Sequence, residues 1–186
     1  MPTPSQIIKQ LSSQEALAIL NVLAKEDKRL AQRIAELALA RLGEVKAEEV
    51  AEAVYSELDA LTPEEVWDRA GRKRQGYVEP IEAAYQMLDE TLDPHLEQLK
   101  KYQALGLSAQ ANQLCMGLLW ALYRFERESA SEFKNWAVDA PGECAQTVIK
   151  AWQAGRPGKK DKAELKQFAD DELTFWGARL FERSGQ

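Results

Sequence analysis

Apolar positions recur along this chain at intervals of three and four residues, the spacing of amphipathic helices, and no sustained period-two alternation interrupts them. The first strong start is Ser12-Ser13-Gln14-Glu15, where Ser12 and Glu15 have the spacing of a capping box. Leu17, Leu20, Leu23 and Ala24 follow as one stripe. The polar run Lys25-Glu26-Asp27-Lys28 separates it from a second stripe, Leu30, Ile34, Leu37 and Leu42, which Gly43 ends. A third helix carries Val50, Val54, Leu58 and Leu61. Thr62-Pro63-Glu64-Glu65 is a second capping box, with Pro at the first helical position, and starts a short helix through Trp67.

Residues 71–79 are the main interruption. Pro80 then opens a helix with Ile81, Ala84, Tyr85, Leu88 and Leu92 on one face. Pro94 predicts a break or kink, since it lacks an amide donor and crowds the preceding turn, with Leu96, Leu99 and Tyr102 continuing to Gly106. Residues 108–128 are apolar on two sides, one through Leu114, Leu118 and Leu122, the other through Met116, Leu119 and Tyr123. A helix apolar on two sides packs between neighbours, so this segment is placed at the centre of the fold. A helix through Cys144, Val148 and Trp152 comes next, then a polar loop at 155–160. The last helix is expected to start at Asp161, capped with Glu164, and to run through Leu165, Ala169, Leu173, Trp176 and Leu180. The pattern predicts an all-α fold of antiparallel helical hairpins, a bundle or short superhelix, in one domain spanning 1–186 with a sub-boundary near 71–79.

The stretches Leu17–Leu42 and Ile81–Gly106 share an order of apolar helix, acidic break and second helix, and both breaks place Asp ahead of Leu (Asp27…Leu30, Asp93…Leu96). The turn Leu105-Gly106-Leu107-Ser108 with Ala111 resembles the inter-helix turn of tetratricopeptide or HEAT-like repeats over about one hairpin, and departs from them where Tyr123 stands in place of the closing Pro. That resemblance implies partner binding on a helical surface.

Composition narrows the classes. Hydrophobic residues make up 45% and charged residues 29%, which is globular and not disordered. With 24 Lys and Arg against 30 Asp and Glu, the net charge of -6 does not favour a nucleic-acid partner. Cys115 and Cys144 fall within apolar stripes and read as buried thiols of a reducing compartment. The start of the chain lacks the basic and apolar regions of a signal peptide, and its longest apolar run, 115–123, is too short to span a bilayer. A cytoplasmic location and no membrane partner are therefore expected.

Candidate chemistry is sparse. Glu49-x-x-Glu52 followed by Glu65-x-x-Asp68 resembles the motif of all-α nucleotide pyrophosphohydrolases, and that resemblance implies four carboxylates holding Mg²⁺ against a triphosphate. Against it, Glu65 already completes the Thr62 capping box. His95 directly follows Pro94 and reads as a solvent-facing helix start; neither it nor the cysteines has the neighbours of a catalytic centre. The five tryptophans mostly sit on helix stripes, Trp136 and Trp152 being the least secure there. The basic cluster Arg69, Arg72, Lys73, Arg74 is flanked by Trp67 and Tyr77, the residue types that anchor interfaces. The expectation is a non-catalytic scaffold or interaction module that needs no cofactor and binds another protein through Trp67, Arg72, Arg74 and Tyr77, with homo-oligomers also open to it. The Mg²⁺-dependent hydrolase is the second reading, and a nucleic-acid-associated regulator the third.

Overall fold

Several helix starts in this chain, among them those at Thr3, Ser12, Asp27 and Thr62, are set by side chains that accept from the free amides of the first turn. The computed structural model describes residues 3–74 and 76–182, and divides into two compact units, Met1–Glu44 and Val45–Gln186. The first unit holds α1 (Pro4–Gln10), α2 (Ser13–Glu26) and α3 (Lys28–Leu42). Ser12 and Glu15 form the expected reciprocal cap, the Glu15 carboxylate accepting from the Ser12 amide at 2.9 Å. The Ser12 hydroxyl, which also donates to that carboxylate at 2.7 Å, and the Ser12 amide together hold the Glu15 carboxyl below the ordinary glutamate range. Asp27, in extended backbone, closes α2 and opens α3 by accepting from the Arg29 amide at 2.7 Å. Helices α2 and α3 pack on one another.

The second unit contains α4 (Ala47–Asp59), α5 (Pro63–Arg69), β1 (Gly71–Lys73), β2 (Gly76–Val78), α6 (Pro80–Ala104), α7 (Ser108–Glu128), a 3₁₀ turn (Glu132–Trp136), α8 (Ala140–Ala154), α9 (Lys159–Glu172) and α10 (Gly177–Glu182). The fold is all-α apart from the small β1–β2 hairpin, which the helical periodicity of its neighbours concealed. The segment 71–79, expected near a boundary, lies inside this unit.

Helix α7 occupies the centre, packed on α4, α6, α8 and α9, as its two apolar stripes require. Its tightest approach is at Gly117, where an added Cβ would stand 2.5 Å from the Cβ of Val50 and 2.7 Å from the Ala47 carbonyl. The same crossing supplies a cap, because Gln113 Oε1 accepts from the Ala47 amide at 3.1 Å at the start of α4. Arg124 fastens the far end of that pair: it donates to Glu52 at 2.9 Å and Glu128 at 3.1 Å and lies over the Tyr55 ring. Between α6 and α7 the chain turns at Gly106, with φ +71°; the Gly106 amide bonds the Gln103 carbonyl and the Leu107 amide the Tyr102 carbonyl, a Schellman motif.

Several local expectations are corrected. Helix α6 runs unbroken through Pro94. Pro94 and the residue four before it, Glu90, both lie on the exposed side, while Leu88, Leu92 and Leu99 stay buried on the other face and hold the helix in place. The second acidic break is therefore absent, and with it the likeness of Ile81–Gly106 to the α2–α3 hairpin. Helix α9 starts at Lys159, not Asp161, because the Asp161 carboxylate reaches back to the Gly158 amide at 3.0 Å. It stops at Glu172, before Leu173; Leu173, Trp176 and Leu180 are still buried, the last within α10. Among the described residues no helix is long and apolar enough to cross a membrane.

Candidate functional site

The predicted interaction residues lie on α5 and the hairpin that follows it. The Thr62 cap, with its hydroxyl and amide both bonded to the Glu65 carboxylate at 3.1 Å, starts α5 and so fixes the phase at which Trp67 emerges. Val66 is fully buried, while its neighbour Trp67 is 58% exposed. The hairpin pairs Arg72 directly with Tyr77, which puts both side chains on one face of the ribbon, and Arg74 lies in the turn. Gly71 and Gly76, at φ +90° and +140°, take backbone conformations that a side chain would strain.

Tyr77 is 63% exposed, and Arg72 and Arg74 are exposed too. Among the described residues neither arginine meets a carboxylate, whereas Arg69 in the same basic cluster is paired with Glu90 on α6. The cluster is thus divided: Arg69 is tied to α6, and Arg72 and Arg74 have no carboxylate partner among the described residues.

Trp136 was not among the predicted contact residues. It is half-buried in the 3₁₀ turn and meets Trp67 edge to face, with ring centroids 5.0 Å apart at 80°. Its spacing from Trp67 is long-range and leaves no mark in the local pattern. Trp152, the other tryptophan least secure in the core from sequence, is buried. Two more exposed apolar side chains lie close along the chain, Ile81 in the first turn of α6 and Val138 two residues beyond Trp136.

The four carboxylates of the alternative reading do not gather. Glu49 pairs with Lys46 at 3.0 Å, Glu52 with Arg124 at 2.9 Å, and Glu65 is held by Thr62; Asp68 belongs to the exposed side of α5. Among the described residues no three His, Cys, Asp or Glu side chains are placed to hold a metal ion. His95 is not a helix start but sits within α6, half-buried, with Nε2 2.7 Å from the Glu57 carboxylate on α4. Burial pushes the Cys115 thiol up, and pushes Cys144 up to about 12 with help from Asp89 and Glu143, so both stay protonated and unreactive at neutral pH. A pocket of about 80 Å³ between Gln103, Gly106, Trp152 and Asp161 is too small for an ordinary substrate. Its Gln103 amide is already bonded to the carbonyls of Ala151 and Trp152.

No family of known proteins matches the chain, nor does any curated protein or solved structure.

Proposed function

We propose that the chain is a non-catalytic protein-interaction module, acting in the cytoplasm, whose contact surface is centred on Trp67, Arg72, Arg74 and Tyr77. The observation that carries this reading is the combination of a large exposed indole, braced by Trp136, with two arginines that have no carboxylate within the described residues. Tryptophan, tyrosine and arginine are the side chains that most often dominate binding energy at interfaces. A braced ring loses little conformational freedom when it is covered, and a guanidinium with no internal partner is available to an external one. The complementary partner is a protein segment with an apolar or aromatic anchor flanked by Asp or Glu.

The test is selection of peptides from a random display library on the immobilised 186-residue chain. Acidic, aromatic-containing peptides are expected, with affinity falling at least about tenfold for Trp67→Ala and for Arg72→Ala, and falling further as salt is raised. Binders indifferent to both substitutions, or no binders, would sink the reading.

A further inference from the structure

The first unit has helices but no interior: no residue of α1, α2 or α3 is buried. Eight large aliphatic side chains on α2 and α3, among them Leu17, Val22, Leu30 and Leu37, are 36–60% exposed. The apolar arc of each helix is wider than one partner covers. On α2 it runs from Leu17 through Leu20 and Leu23 to Ile19, and on α3 from Leu37 and Leu30 through Ile34 to Leu39. Only part of each arc, such as Ala16 and Ala24 of α2 and Ala31 and Ile34 of α3, reaches even half-burial. A two-helix hairpin of this length cannot bury enough apolar surface to be stable alone.

We infer that α2 and α3 form the interface between two copies of this chain, the two hairpins closing into a four-helix bundle. The area is of the right order: those eight side chains present on the order of 700 Å² per copy, against about 800 Å² per partner in a stable interface of standard size, and the share a second copy covers is the Leu30 and Leu37 side of α3, Leu39 lying half a turn away. The charge fits as well. Residues 1–44 carry six Lys or Arg and five Asp or Glu, a net charge of +1, so two copies meet there with little repulsion; the remaining 142 residues carry 18 against 25 and are strongly acidic. The pattern is also self-complementary, as a two-fold interface requires. Leu30 and Leu37 are seven residues apart on one face of α3, so an antiparallel crossing near Arg33 and Ile34 sets each against the other in the second copy.

Sedimentation equilibrium on the 186-residue chain tests this, using wild type, Leu30→Asp/Leu37→Asp and Trp67→Ala/Tyr77→Ala. The wild type is expected at twice the 21.0 kDa chain mass, and the α3 variant as a monomer or with dissociation weakened at least about 100-fold. The Trp67/Tyr77 variant is expected to remain dimeric, which separates this interface from the proposed partner surface. All five tryptophans lie in the second unit, so an unchanged fluorescence spectrum shows that the α3 variant still folds there. A wild type that is monomeric at about 100 µM overturns the inference. So does an α3 variant that stays dimeric, or a dimer abolished by the Trp67/Tyr77 change.

Discussion

Gly117 is required by the helix across from it. Any side chain there would press on Val50 and the Ala47 carbonyl, so α4 and α7 would have to part at this crossing. Gly117→Ala should therefore lower stability by about 1–2 kcal/mol, the overpacking cost exceeding the gain in helix propensity. A thermal melt followed by tryptophan fluorescence measures it, and an equal or higher midpoint would mean the crossing yields easily. Nothing local marks this glycine, which sits within one of the most apolar stretches of the chain. Trp67 is the opposite case: its aromatic character beside a basic run is legible in the sequence. Its exposure depends on the phase of α5, which the Thr62 cap sets.

At the scale of elements, the capping boxes at Ser12 and Thr62 were readable because they are reciprocal bonds over three residues, and the structure contains both. The break expected at Pro94 is absent because an interior proline costs a helix less where the rest of the helix is held by a well-buried face. Pro94 and Glu90 are on the exposed side of α6, and the buried face holds the helix together. Pro94→Ala should consequently stabilise the fold by about 1–2 kcal/mol, the regained amide outweighing the added freedom of the unfolded chain. Urea unfolding measures it; a destabilised variant would mean that the ring makes packing contacts of its own. The β1–β2 hairpin escaped notice for a related reason. Three residues a side offer no alternation to detect, and its geometry rests on Gly71 and Gly76 at positive φ.

For the whole molecule, the contrast between the two units predicts uneven protection from hydrogen exchange. Amides of residues 111–125 in α7 should exchange only with global opening. Those of α2 and α3 should exchange at least about tenfold faster when the chain is dilute, and slow as concentration rises and the hairpins pair. Equal protection of α3 and α7 in dilute protein would show that the first unit is already covered. The sequence by itself determined the helical class, the central place of α7, most helix starts and the aromatic–basic character of residues 67–77. Each of these depends on periodicity or on bonds within a few residues. Only the tertiary structure decided that Trp136 braces Trp67, that Arg69 is paired with Glu90 while Arg72 and Arg74 are not, that the four carboxylates stay apart, and that α2 and α3 lack a core. Those outcomes turn on which distant side chains arrive at one place, and spacing along the chain does not encode that.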